Sequence, residues 1–183
     1  MLITTSRRPG QLARILCRGL VRVIPGSRYV PRGTKTVGKV GSVSRELGHD
    51  RVIFVNSVSG KPKEIRFIEV GRDWRWVDAM VELGEVKIQR EASRSSKLED
   101  LRIHADGPRA QEFAEFVGKL LGISLSDKLP ESGGVALITT DNGLKVQFRA
   151  MPSSKAIGPV LQVTAFGSLF KGGVGKMEAD EHG

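Results

Sequence analysis

Apolar and polar positions change period along the chain in an order that occurs twice. Residues 2–6, Leu2-Ile3-Thr4-Thr5-Ser6, read as a short strand. Over Gln11–Val23, the residues Leu12, Ile15, Leu16, Leu20 and Val23 recur at the 3.6-residue spacing of a helix with one apolar face. Residues 51–57 and 64–70 then read as two strands about Ser59-Gly60-Lys61-Pro62, and 76–89 holds at least one more. After a polar stretch the order returns. Leu101–Ala105 reads as a strand, and Ala110, Phe113, Ala114, Val117 and Leu121 mark the apolar face of a helix over Pro108–Leu121. Asp106 is its expected N-cap, Pro108 suits its first turn, and Gly122 stops it. Residues 135–140 and 144–150 pair about Asp141-Asn142-Gly143, whose Asn-Gly step supplies the positive φ angles of a tight hairpin turn. A strand over 160–166 closes the set.

This order predicts an α/β chain of two tandem similar halves, 1–95 and 96–170, each a small mixed β-sheet with helices. The boundary falls in the polar stretch 91–100. Strand–helix–hairpin order also recurs by chance in α/β proteins, so the pattern alone leaves duplication and coincidence both open. The first half carries extra sequence over 25–48. It begins as a loop (27–33) and continues into a weaker helical stretch with Val37, Val40 and Leu47 on one side. Gly38 and Gly41 each cost that helix roughly 1 kcal/mol relative to Ala. Residues 171–183, glycine-rich and then acidic, predict a disordered tail.

Charge changes this picture. The chain carries a formal net charge of +9, and residues 1–50 hold ten Lys/Arg against only Glu46 and Asp50. The rest of the chain is nearly balanced. Charge gathered in one segment points to a polyanionic partner and to the end that meets it. Arg14, Arg18 and Arg22 stand four residues apart on the outer face of the first helix, where like charges cost roughly 0.2–0.5 kcal/mol per pair. No acid precedes Glu46 to relieve them. A solvated face neutralised from elsewhere accounts for any single arginine. For three in a row, flanked by Arg7, Arg8, Arg28, Arg32, Lys35 and Lys39, a phosphate backbone is the fitting counter-charge. The second helix instead shows Glu112, Glu115 and Lys119, an ordinary solvated face. The hydroxyls of Thr4, Thr5 and Ser6 lie where a strand ends and a helix begins. They suit an anion site, and Ser6 equally suits a helix cap. Arg32-Gly33 joins a guanidinium to a residue that permits close backbone approach.

Other chemistries are poorly supplied. The single Cys17 permits no internal disulfide, and no apolar run approaches the roughly 20 residues of a membrane span, so a soluble, cytoplasmic protein is expected. An Arg-rich, acid-poor start also fits a mitochondrial transit peptide, but the repeat needs residues 2–6 as a strand. His49, His104 and His182 are isolated and lack metal-ligand spacing with Cys17. Gly172-Gly173-Val174-Gly175-Lys176-Met177 has the flavour of a phosphate loop. Phe170 stands in place of the first glycine, however, and Met177 in place of the Ser/Thr. Asp73, Asp78, Glu82 and Glu85 are matched by nearby cations such as Arg72, Arg75 and Lys87. Trp74 and Trp76 share a face when extended, which suits packing better than base stacking. These readings predict no metal, no cofactor, no small-molecule substrate and no enzyme.

Ile3-Thr4-Thr5-Ser6-Arg7, a basic helix, Arg32-Gly33, and Val52-Ile53-Phe54-Val55 before a hairpin together resemble the Brix domain across about residues 1–170. The resemblance implies an archaeal-type, single-domain ribosome biogenesis factor. It would bind ribosomal RNA or its precursor, work with other assembly proteins, and assist pre-rRNA processing and subunit assembly without catalysis. It also implies halves that each resemble the anticodon-binding domain of class II aminoacyl-tRNA synthetases. In a eukaryote the location would be nucleolar. The scarcity of Asn (Asn56 and Asn142 only) suits a thermophile. On this reading Arg7, Arg8, Arg14, Arg18, Arg22, Arg28, Arg32, Lys35 and Lys39 hold phosphates, while Thr5, Ser6 and Gly33 let the backbone come close. The alternative is an integral ribosomal protein or another structured-RNA-binding protein, of which the former more often has evenly spread charge and long basic tails.

Overall fold

Four consecutive residues, Leu2–Thr5, are buried, and they form strand β1 inside a sheet rather than at its edge. The computed structural model describes residues 1–89 and 97–169. β1 is flanked by two parallel neighbours, β2 (Arg28–Tyr29) and β3 (Arg51–Val58). From β3 the chain meanders antiparallel through β4 (Lys61–Val70) and β5 (Trp74–Ile88). At the far edge β6 (Leu101–Ala105) pairs parallel with β7 (Gly133–Thr139), and β8 (Leu144–Met151) and β9 (Lys155–Gly167) follow antiparallel. β9 joins β5, giving one nine-stranded mixed sheet ordered β2-β1-β3-β4-β5-β9-β8-β7-β6. Three helices occur among the described residues: α1 (Gln11–Val23), α2 (Val37–Glu46) and α3 (Pro108–Leu121).

Strand alternation sends successive side chains to opposite faces. Ile3, Ile53, Val55, Phe67, Leu161 and Val163 face α1 and α3 and form the larger core with Leu16, Leu20 and Phe113. α1 reaches past its own half, because Gly19 lies against Pro159 and Val23 against Gly158 of β9. On the other face α2 lays Val40, with Val37 and Leu47, over Leu2, Val52, Phe54, Ile68 and Val70. Its two interior glycines now have a reason. The Trp74 side chain sits against both: a Cβ on Gly38 would stand only 3.0 Å from its indole Nε1, and one on Gly41 only 3.2 Å from its Cβ. Among the described residues no helix covers this face of the second half. There Arg102, Val135 and Arg149 lie side by side, where the first half has Leu2, Val52 and Ile68.

Several local expectations are corrected. Residues 27–33 contain the short strand β2, not only loop, because β1 offers it a free edge. The first hairpin turns on Ser59-Gly60 at φ +50° and +79°, and Pro62 lies within β4. Asn142 and Gly143 have the expected positive φ. The N-cap of α3 is Gly107, without a side-chain bond; Asp106 instead donates its backbone N–H to Ile138. Ser6 does not cap α1, whose N-cap is Gly10; its N–H extends the ladder to Val55. Leu12 and Ile15 are only half-buried, while the small Ala13 and Cys17 face the sheet and let α1 lie close, Cys17 Sγ being 3.5 Å from the Thr4 carbonyl. β9 begins at Lys155, ahead of the expected 160. Most of the expected boundary stretch, the tail 171–183, the glycine-rich 172–177 and His182 lie outside the described residues.

Candidate nucleic-acid interface

The order β2-β1-β3 creates a topological switch point. The chain leaves β1 through α1 on one face and leaves β2 through α2 on the other. Open α/β sheets bind ligands outside the carboxyl ends of strands at such points, where the diverging connections leave a crevice. Ser6, Arg7 and Arg8 follow the end of β1 there, and Val30 to Gly33 follow the end of β2. The Thr4 hydroxyl donates to the Val30 carbonyl at 2.7 Å and ties the second loop to β1. Both helices begin from this end, and neither has an acid in its first turn. Their N-terminal N–H groups therefore add partial positive charge to the arginines. Gly33 has φ +52° with open space where a Cβ would stand.

The cations divide by environment. Arg7, Arg8, Arg14, Arg18, Arg28 and Lys39 are exposed. The Arg18 guanidinium lies over the Tyr29 ring, 5.9 Å from its centroid, which draws the basic side of α1 toward the β2 edge. Burial pushes the Tyr29 hydroxyl above its ordinary pKa, opposed in part by Arg18 and Arg14. Lys35, half-buried, donates to the Pro31 carbonyl at 3.2 Å. Arg32 is different in kind, being only 7 % exposed. Its Nε donates to the Lys35 carbonyl at 2.5 Å and its guanidinium lies 5.2 Å from the Phe54 centroid. Burial, and then the charge of Arg7, lower its pKa.

The acids lie elsewhere. The ion pairs among the described residues are Arg51–Glu69, Arg66–Glu64, Arg75–Glu69, Lys87–Glu85 and Arg102–Asp100. None uses a cation from residues 1–50. Arg22, half-buried, has a partner of its own; the other cations named at this end have no carboxylate partner among the described residues.

No family model matches the chain. A protein of Methanopyrus kandleri described as a probable Brix domain-containing ribosomal biogenesis protein is 30% identical over 151 residues, covering 76% of this chain and 79% of that one. The chain belongs to the Brix domain family. A protein of the same description from Pyrococcus abyssi is 29% identical across 89% of this chain and 82% of its own length. For that of Pyrococcus horikoshii the match is 39% over 92 residues, half of this chain and 41% of that protein. Among solved structures, a probable ribosomal biogenesis protein from Aeropyrum pernix superposes with a TM-score of 0.76 at 28% identity, covering 88% of this chain and 93% of that one. An archaeal Imp4-like protein superposes with a TM-score of 0.69 at 20% identity, covering 92% and 99%.

Within this Brix domain, the pentapeptide that carried the resemblance is split by depth. Ile3, Thr4 and Thr5 are buried, Ser6 is half-buried, and Arg7 is exposed. Thr5 Oγ1 has no hydrogen-bond partner among the described residues and lies too deep to line the surface. Arg7 follows the end of β1 and Arg32 lies on Phe54, the β3 partner of Thr4, while Arg18 lies over Tyr29 at the β2 edge. Tyr29 was not among the expected site residues; its signal was the short Arg28-Tyr29-Val30 alternation, masked by the surrounding prolines and glycines. His49 Nδ1 lies 2.9 Å from the Met1 amine and His104 Nδ1 lies 2.9 Å from the Ser126 carbonyl, so each is engaged locally. No cluster of three metal-ligating side chains occurs among the described residues. Glu85 pairs with Lys87 as its neighbours suggest, but Arg75 pairs with Glu69, across the β4–β5 ladder, rather than with Asp73. Trp74 and Trp76 pack edge to face, 6.5 Å apart, with Arg66 over Trp76 at 4.6 Å.

Proposed function

We propose that this Brix domain is a non-enzymatic ribosome assembly factor that binds ribosomal RNA or its precursor along the β2 edge and the carboxyl ends of β1 and β2. The observation that carries the reading is the exposed arginine rim of the first half, which has no carboxylate partners among the described residues, whereas Arg51, Arg66, Arg75 and Arg102 are paired. A polyanion supplies the missing counter-charge. Phosphate contacts position a protein without reading sequence, so selectivity comes from RNA shape or unpaired bases. The description of the relatives as ribosomal biogenesis proteins supports assembly as the setting, with other assembly proteins as partners and the cytoplasm as the location.

We also read the fold as a duplication, 1–95 and 96–170, of a unit resembling the anticodon-binding domain of class II aminoacyl-tRNA synthetases. The matched orders β1-β3-β4-β5 and β6-β7-β8-β9 support this. The test is binding to structured ribosomal RNA across a salt series. With about five phosphates engaged, log affinity falls with log salt at a slope of roughly −3.5 to −4.5. A folded Arg14→Glu, Arg18→Glu double variant binds far more weakly. Salt-independent affinity, or unchanged binding by that variant, overturns the proposal. The RNA is expected to stay intact during incubation with magnesium.

A further inference from the structure

The basic rim is not uniform, and one arginine is in the wrong place for a loose electrostatic contact. Arg32 is 7 % exposed, yet it has no carboxylate partner among the described residues. Its Nε is held by the Lys35 carbonyl and its face by the Phe54 ring, while its two Nη groups have no protein partner among the described residues. A desolvated, unpaired charge is costly, and a cation–π contact of up to about 2 kcal/mol offsets only part of that cost. Phe54, on which Arg32 lies, pairs with Thr4, three residues before Arg7, so both guanidinium groups belong to the same end of the sheet, and the charge of Arg7 opposes that of Arg32. Two like charges at one end of the sheet, one of them largely desolvated, want an anion.

The surroundings supply further donors. Lys35, whose carbonyl fixes Arg32, stands two residues before α2, a ten-residue helix. Thr36 caps it by accepting from the Lys39 N–H at 3.2 Å, so the N–H groups of Val37 and Gly38 are left without carbonyl partners in the helix. Gly33, open on its Cβ side, leaves space for a ligand to approach the backbone. Planar guanidinium groups with helix N-terminal amides form a recurrent phosphate-binding set.

We propose that Arg32, Arg7 and the first amides of α2 form a discrete subsite for one phosphate group, separate from the row of α1. It rests on the RNA-binding reading for its natural occupant, a phosphate of an RNA chain, but not for its existence. Each cation plays a separate part. Arg32 is preorganised by Phe54 and Lys35 and presents its Nη edge, whereas the exposed Arg7 closes over the bound group.

NMR titration with inorganic phosphate tests this, with chloride at equal ionic strength as control. The Arg32 Nε–H signal and the amides of Gly33, Val37 and Gly38 shift saturably with phosphate and not with chloride, and the Nε–H signals of Arg14 and Arg18 do not. Arg7→Gln and Arg32→Met each weaken phosphate binding about tenfold or more, the loss of one charge-assisted hydrogen bond, and Arg109→Gln on α3 leaves it unchanged. Without phosphate, Arg32→Met melts at or above the wild-type temperature, because an unpaired buried charge has been replaced by an apolar chain. Competition by RNAs with 5′-hydroxyl or 5′-monophosphate ends separates the sources: equal competition assigns an internal diester, and preference for the monophosphate assigns a chain end. Absence of the phosphate shifts while RNA still binds overturns the subsite alone. Shifts that persist in a protein with no affinity for RNA keep the subsite and overturn the RNA reading. A lower melting point for Arg32→Met, with wild-type phosphate binding by Arg7→Gln, makes Arg32 a packing residue and overturns the proposal.

Discussion

At the scale of single residues, burial decides which groups are chemically available. Cys17 is fully buried under α1, and desolvation pushes its thiol up to about 12. It is therefore expected to resist iodoacetamide at pH 8 in the native state and to react at the rate of a free thiol in denaturant, as read by mass spectrometry. Arg51 shows the opposite use of a charge. From β3 it donates to the Lys119 carbonyl at 3.3 Å and to that of Leu120 in the last turn of α3, and it also reaches Glu69 at 3.3 Å. It satisfies helix carbonyls and complements the helix dipole across the two halves, so Arg51→Ala is expected to cost about 1–3 kcal/mol in urea unfolding. His49 has its pKa lowered by burial and then by the Met1 amine and Arg28. The folded state thus binds this proton less readily than the unfolded one. Its contribution to stability is present above the ordinary value of about 6.5 and is lost as pH falls through the lowered one. The urea midpoint of wild type should accordingly fall more between pH 8 and pH 5.5 than that of His49→Gln. The sequence exposed the cationic residues of this list but not their depth. Arg32 and Arg28 differ by four positions and read alike, yet one is buried on Phe54 and the other faces solvent.

At the scale of elements, the helix that local propensity favoured least is fixed by one distant side chain. Gly38 and Gly41 weaken α2, and Trp74 of β5 occupies the notch they leave. Gly38→Ala alone is expected to destabilise the protein, because its Cβ would meet the Trp74 indole. In a Trp74→Ala background, which removes every atom it would meet, the same change gains up to about 1 kcal/mol from helix propensity, and a double-mutant cycle in urea measures the coupling. At the other end of the sheet, Gly158 has φ +69° and a Cβ there would stand 2.5 Å from Val23 Cγ1. Gly158→Ala combines a left-handed backbone with overpacking against α1, and a loss of about 2–4 kcal/mol in unfolding free energy is expected. The amphipathic α1 and α3 were legible because their periodicity is local. β2 was not, since a two-residue strand has no periodicity and exists only because β1 offers an edge.

At the scale of the whole molecule, the two halves share one sheet and one large core. That core is not filled: an apolar cavity of about 70 Å³ lies where Leu20, Phe113, Ala136, Val146 and Val163 meet. Val163→Ile is expected to add about 1 kcal/mol of stability by filling part of it, measured by thermal and urea unfolding. The sequence by itself determined the order of the elements other than β2, the two main amphipathic helices, the Asn-Gly turn and the segregation of charge into the first fifty residues. These depend on neighbours in the chain or on composition. Only the tertiary structure decided that α1 crosses onto β9, that α2 covers the first half of the second face, and that Arg7 and a buried Arg32 stand at the same end of the sheet. Those depend on which strands become neighbours, and side chains 25 residues apart acquire a shared environment only when the sheet brings them together.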